Sequence, residues 1–384
     1  MATTSILGTT PPASERTGLS DRWFAWRNRM LASPAFQAWA VRNPFTRPVA
    51  NKRARELFDI CAGFVYSQIL ASCVRLKVFD ILSEGPQTVD RLAARLSLPA
   101  QATARLMAAA AGLRLTQRRP DGRYGLGDLG AAMTGNPGIA AMVEHHTALY
   151  ADLRDPVALL RDEQPDTALG RLWPYADSSR SGPLAAGDVA DYSKLMAASQ
   201  PLVAADILAA YRFDRHRCLI DLGGGDGTFL TQVAAAAPSL QLRLFDLPAV
   251  AERATARFAA SGLSQRAQAF GGDFRTGPLP DGADIISLVR VVHDHDDGVA
   301  MSILRTARAA LPPGGSLILA EPMAGTSGAE TVGAYFEFYL MAMGSGRPRD
   351  AAELSAMLRQ AGFTSVTTLP TRRPILVRVL LARC

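Results

Sequence analysis

Asp221-Leu222-Gly223-Gly224-Gly225-Asp226-Gly227-Thr228 is the stretch whose reading decides the fold. The apolar run Cys218–Leu222 predicts a strand, and the glycines predict a sharp turn into a helix. A second strand ends in Phe245-Asp246-Leu247-Pro248, which sets an acid 21 residues beyond Gly225. Strand, glycine turn, helix and acid-tipped second strand build a nucleoside site at the carboxyl edge of a parallel sheet. Glycine lets the backbone turn and approach a ligand with no Cβ in the way. The competing reading is a purely structural glycine turn of an α/β protein.

The missing features select the nucleoside. A dinucleotide turn needs a third glycine where this chain has Thr228, and the Asp226 carboxylate stands at the helix start that a pyrophosphate would use. A cofactor without phosphate suits such a turn. S-adenosylmethionine fits: it carries a sulfonium and an ammonium, and its ribose diol can donate to Asp246.

With 384 residues, 48% hydrophobic and 20% charged, the chain is long enough for two domains and has an ordinary globular composition. Cys61, Cys73, Cys218 and Cys384 are scattered, which points to a reducing, cytoplasmic compartment and to neither a disulfide framework nor a zinc site. No apolar run reaches about 18 residues, so no membrane-spanning helix is expected, and no signal sequence is read at the N-terminus. The net charge of +6 is carried almost entirely by arginine. Between Arg22 and Arg55 lie eight basic residues and no acid, interleaved with Trp23, Phe24, Trp26, Phe36, Trp39 and Phe45. Such a segment, residues 22–55, suits peripheral contact with a membrane interface. It equally suits an arm packed on its own protein or on a partner subunit, and Pro34, Pro44 and Pro48 are expected to break any long helix.

Four regions follow: a polar tail over 1–20, the basic aromatic arm over 21–56, a helical domain with connecting helices over 57–200, and an α/β domain over 201–384. Leu57, Ile60, Cys61, Phe64, Val65 and Ile69 share one helical face. Helices over Val89–Leu96 and Ala102–Leu113, then a hairpin of Leu115–Arg118 and Tyr124–Leu126, make a winged helix. A DNA-binding regulator is therefore a rival, but between Pro99 and Gly112 only Arg105 is charged, and a DNA-reading helix needs donors. The alanine-rich surface suits helix packing in a homodimer, and no nucleic-acid partner is expected. Later strands are expected at Gln241–Phe245, Ala267–Phe270, Asp284–Val291, Ser316–Ala320, Thr364–Leu369 and Ile375–Leu381, the last two as an antiparallel hairpin at the sheet edge.

The chemistry gathers at two strand ends. Arg290-Val291-Val292-His293-Asp294-His295-Asp296-Asp297 closes the fourth strand, and Glu321 closes the next. Adjacent parallel strands bring His293 and Glu321 to one rim, where a carboxylate fixes an imidazole's tautomer and raises its basicity. Asp296 and Asp297 are expected to cap the following helix. A metal is not expected, because consecutive residues cannot aim five side chains at one ion. Gly271-Gly272-Asp273-Phe274 offers an acid and an aromatic to an adenine, or else a turn over a buried phenylalanine. Thr331–Gly346 carries Tyr335, Phe336, Phe338, Tyr339, Leu340, Met341 and Met343, as helix core, as the wall of an apolar pocket, or as both.

Taken together, these motifs resemble, in order and spacing, the S-adenosylmethionine-dependent O-methyltransferases of the plant caffeate/hydroxyindole type. The resemblance spans about residues 57–384. It implies a seven-stranded class I methyltransferase (Rossmann-like) domain behind a winged-helix dimerisation domain. It implies that Gly223, Gly225, Asp246, Leu247, Asp273, Phe274 and Arg290 hold the cofactor, that His293 is the general base with Glu321 as its first acid, and that Met196, Tyr335, Phe336, Tyr339 and Met343 line the acceptor pocket. Two positions depart from the family pattern: its second acid falls at Pro348, and the tryptophan after His-Asp is His295. The arm and the segment Val65-Tyr66-Ser67-Gln68 resemble the carotenoid-modifying branch of purple phototrophs, which implies a large apolar hydroxylated acceptor and a place on the inner, photosynthetic membrane. A phenol, a quinone-related compound or a tetrapyrrole is the alternative acceptor.

Overall fold

A computed structural model describes residues 18–172, 199–275 and 277–384. The expected pocket residue Met196 lies outside the described residues. Clustering of contacts divides the chain into two compact units, Met1–Ile69 and Leu70–Cys384.

The first unit is helical. Helix Leu19–Ala32 buries none of its residues, and Pro34–Arg42 buries only Ala40. Pro34 stands at the start of its helix, where its missing N–H costs nothing. A 29-residue helix, Arg47–Arg75, begins here and carries Pro48 in its first turn, so this proline opens a long helix where a break was expected. An 18-residue window of that helix has a mean hydropathy of 1.6. The expectation that no segment is long and apolar enough to cross a membrane is thereby corrected: scattered Asp59, Ser67 and Gln68 interrupt the apolar run without lowering its mean. The face bearing Leu57, Ile60, Phe64 and Val65 is exposed, Ile60 to 79%.

In the second unit the winged helix is present. Helix Val89–Leu96 is capped by Thr88, whose Oγ1 accepts from the Arg91 N–H. Helix Ala100–Gly112 follows, then strands β1 (Thr116–Arg118) and β2 (Tyr124–Leu126), paired antiparallel.

The rest is an α/β sheet of β3 (Cys218–Leu222), β4 (Gln241–Asp246), β5 (Ala267–Gly271), β6 (Ile285–Val289), β7 (Ser316–Glu321), β8 (Ser365–Leu369) and β9 (Arg378–Arg383). Its order is β5-β4-β3-β6-β7-β9-β8, parallel through β7, with β9 antiparallel to both neighbours. Strands β3, β6 and β7 are buried along their whole length, as strands covered on both faces must be. Alternate residues feed two cores: Leu219, Phe229 and Phe258 pack on one face, Ile220, Leu222 and Ile303 on the other.

Three boundaries differ from expectation. Strand β6 ends at Val289 because Arg290 takes a left-handed φ of 59°. Asp284 lies ahead of the strand, its carboxylate accepting from the Arg217 and Cys218 N–H groups. Strand β9 starts only at Arg378, because the Arg373 carbonyl accepts from Leu376 and Val377 in a turn. The final hairpin also does not sit wholly at the edge: β9, buried from Val379 to Ala382, slots between β7 and β8, leaving the polar β8 outermost.

Candidate active site

The glycine turn leaves β3 at its carboxyl end. Gly225 has φ +59°, and a Cβ built on it would meet nothing within 4 Å, so the backbone here faces open space. The Gly225 N–H donates to Asp246 Oδ2 at 2.8 Å, and the Leu247 N–H donates to Oδ1 at 2.7 Å. Asp246 is thus fixed by two backbone donors, and each oxygen keeps a lone pair for a diol. Asp226 accepts from the Thr228 N–H at 3.1 Å and from its hydroxyl at 2.6 Å, and it pairs with Arg257. Its carboxylate therefore covers the helix start, while Arg257 balances the charge. These groups fit a nucleoside cofactor whose chain is not a phosphate.

Phe274 is buried, and its ring edge lies 3.6 Å from where a Gly223 Cβ would stand, which brings it to the glycine turn. Asp273 is gripped by Arg275, whose Nε and Nη2 donate to both its oxygens, and the Arg275 hydrogen bonds hold its pKa below the usual range. Asp221, at the base of the turn, accepts from the Ser287 hydroxyl at 2.6 Å. Burial pushes its pKa up to about 7. Arg290 Nη1 donates to the Ser199 hydroxyl at 2.7 Å.

On the same rim, His293 and Glu321 meet. His293 Nδ1 is hydrogen-bonded to Glu321 Oε2, and Glu321 Oε1 accepts from the Val291 and Val292 N–H groups at 3.0 and 2.8 Å. The opposite ring nitrogen, Nε2, lies 3.1 Å from Asp294 Oδ1. Burial pulls the His293 pKa down, but the Asp294 and Glu321 carboxylates outweigh it and the net direction is up. Burial raises Asp294 to about 6 against the opposing pull of His293. His295 goes the other way: burial first, then the Arg275 and His293 charges, press it down to about 4.

Asp294 was legible only as one acid in a cluster, and its pairing with Nε2 emerges from the short 3-10 turn Val292–Asp294. A second feature had no local signal at all. Arg349, fully buried, donates to the Val292 and His295 carbonyls at 2.9 and 2.8 Å and pairs with Asp297. Gly346, at φ +83°, lies so close that a Cβ would stand 2.2 Å from the His293 carbonyl oxygen. The segment Gly346–Arg349 therefore clamps the histidine turn from behind, at the place where Pro348 replaces an acid. Asp296 is the N-cap residue of helix Asp297–Ala310, yet its carboxylate accepts from the Gly346 N–H, and Asp297 pairs with Arg347 and Arg349. Both expected capping acids thus also hold this clamp.

The helix Glu330–Met343 brings Phe336 to 5.7 Å from the His293 ring, edge to face. Tyr335 and Tyr339 stack at 5.5 Å beside it. Met343 is packed with Leu149, Leu159 and Leu169 in a local core. Among the described residues no group of three or more metal-ligating side chains occurs.

Residues 58–136 match the model of the O-methyltransferase dimerisation domain, and residues 150–364 match that of the O-methyltransferase domain. The chain belongs to the O-methyltransferase family. It is 43% identical over 373 residues to demethylspheroidene O-methyltransferase of Cereibacter sphaeroides, covering 97% of each chain. It is also 43% identical over 344 residues to the Rhodobacter capsulatus protein of that name, covering 88% of this chain and 84% of that one. Acetylserotonin O-methyltransferase of Mus musculus molossinus is 31% identical, with 83% of this chain and 85% of that one covered. Among solved structures, human N-acetylserotonin methyltransferase in complex with SAM shares the fold with a TM-score of 0.71 at 22% identity, covering 86% of this chain and 97% of that one.

Proposed function

We propose that this protein transfers a methyl group from S-adenosylmethionine to the tertiary 1-hydroxyl of an acyclic hydroxycarotenoid. The observation that carries the acceptor is the 43% identity to demethylspheroidene O-methyltransferase across 97% of both chains. Gly223, Gly225, Asp246, Leu247, Phe274 and Arg290 hold the cofactor, Asp246 through the ribose diol. Bound S-adenosylmethionine supplies an electrophilic sulfonium methyl.

His293 takes the proton of the acceptor hydroxyl as the new oxygen–carbon bond forms. A tertiary alcohol is far less acidic than a phenol, so full ionisation by an ordinary imidazole of pKa about 6.5 is excluded. Two carboxylates flanking His293 raise its basicity toward the task, and Asp294 supplies the orienting acid that is absent at Pro348. Glu321 and the Arg349 clamp hold the ring in place, so that alignment contributes as much as basicity. The product is a methyl ether, and the proton leaves from Nε2 to solvent.

The acceptor is dissolved in membrane, and the arm suits a visit there. Trp26 is 53% exposed and Phe45 90%, and Arg27 lies over the Trp23 and Phe24 rings at 5.4 and 4.8 Å. We assign these residues to peripheral contact with the cytoplasmic leaflet. The exposed face of Leu57, Ile60, Phe64 and Val65 adjoins the start of the dimerisation match and is assigned to a second copy of the chain.

The test is incubation with methyl-labelled S-adenosylmethionine and a panel of 1-hydroxycarotenoids, phenols and chlorin precursors. Label in a carotenoid methyl ether is expected, and label only in phenols or tetrapyrroles overturns the acceptor.

A further inference from the structure

The helix Pro137–Asp152 carries two adjacent histidines that the proposed reaction does not use. Each reaches a tyrosine of the helix Glu330–Met343. His145 Nε2 lies 2.9 Å from the Tyr339 hydroxyl, and His146 Nε2 lies 2.8 Å from the Tyr335 hydroxyl. Tyr335, Phe336 and Tyr339 form one aromatic cluster, with centroids 5.1, 5.5 and 6.1 Å apart. Phe336 joins that cluster to His293. The rings beside the base are therefore hydrocarbon except for two hydroxyls, and the two histidines engage those hydroxyls. Burial lowers His145 to about 4, with the neighbouring His146 adding to the effect, and burial lowers His146 as well. Both rings are neutral near pH 7, and a neutral imidazole offers one acceptor nitrogen.

We propose that His145 and His146 are specificity-determining residues: by engaging the Tyr339 and Tyr335 hydroxyls they present the acceptor with an aromatic wall free of hydrogen-bond donors. The proposal rests on the apolar acceptor named above. In the tautomer protonated on Nδ1, Nε2 accepts the phenol proton and turns it toward the helix Pro137–Asp152. A free hydroxyl would instead face a polyene that has nothing to offer it, and a buried polar group left without a partner costs affinity. Sites built with open polar groups reject ligands that lack the matching group. These two pairs remove that bias.

A double-mutant cycle tests the idea on the full chain, comparing wild type, His146→Leu, Tyr335→Phe and the double variant. His146→Leu is expected to raise KM for the 1-hydroxycarotenoid about tenfold, with a smaller effect on kcat. Removing the orphaned hydroxyl in the double variant is expected to recover most of that loss. A double variant as impaired as His146→Leu overturns the proposal, because the histidine then serves packing alone. A tenfold rise in KM for Tyr335→Phe by itself also overturns it, because the hydroxyl then contacts the acceptor. The His145–Tyr339 pair gives a second cycle should His146→Leu fail to fold. Absence of carotenoid turnover by the wild type would instead overturn the acceptor, separately from this inference.

Discussion

The rim of the sheet and the arm ahead of residue 57 treat their chemically active side chains in opposite ways. At the rim, His293, Asp294, Glu321 and Arg349 are buried and each polar edge has a partner within the chain. In the arm, Trp23, Phe24, Trp26, Trp39 and Phe45 stand in solvent between arginines. The rim is complete in itself because buried charge is tolerated only when paired. The arm holds apolar surface that the described part of its unit does not cover. Large exposed aromatic surface beside cationic groups marks contact with something outside the chain. The difference separates a site that performs chemistry from a surface that delivers the acceptor to it.

The largest expected effect breaks the rim alone. His293→Ala removes the base, and kcat should fall by about 100- to 10,000-fold, while binding to liposomes is retained. Turnover near wild type, measured where chemistry limits the rate, would remove His293 from the base role. The next effect breaks the arm alone. A triple change of Trp23, Trp26 and Trp39 to Ala should weaken sedimentation with anionic phospholipid vesicles by about tenfold or more, given the aromatic area lost. Turnover of a detergent-dispersed acceptor should change far less. Equal losses in both assays would mean that the arm and the rim are not separable. The smallest effect sharpens the rim. His293 is raised by its carboxylates, so it stays protonated at low pH and kcat/KM should climb as pH rises through that raised value. Asp294→Asn takes away one raising charge, so the climb should begin at lower pH. A profile that does not move would show that Asp294 is not coupled to the base.

Much of the rim is legible in the amino-acid sequence. The turn at Gly223–Gly227, Asp246 at the tip of the second strand, and His293 with Glu321 on neighbouring strands all follow from strand periodicity and the geometry of parallel sheets. The clamp is not legible in this way, because Arg349 meets the Val292 carbonyl across 57 residues of chain. Pro348 in the place of an acid reads as a loss, yet its neighbours Arg347 and Arg349 belong to a brace around the same histidine. The arm is legible in composition but not in shape, since Pro48 opens a 29-residue helix where a break was expected.

The succession of parallel strands, the class of cofactor turn and the pairing of an imidazole with a carboxylate were determined by the sequence itself, because apolar runs, glycine freedom and strand ends are local properties. The tertiary structure alone decided the insertion of β9 beside β7, the approach of Asp294 to Nε2 and the pairing of His145 with Tyr339 across 194 residues. These arise from packing, in which each polar group settles against whatever partner the fold brings near, and no local pattern records which partner that is.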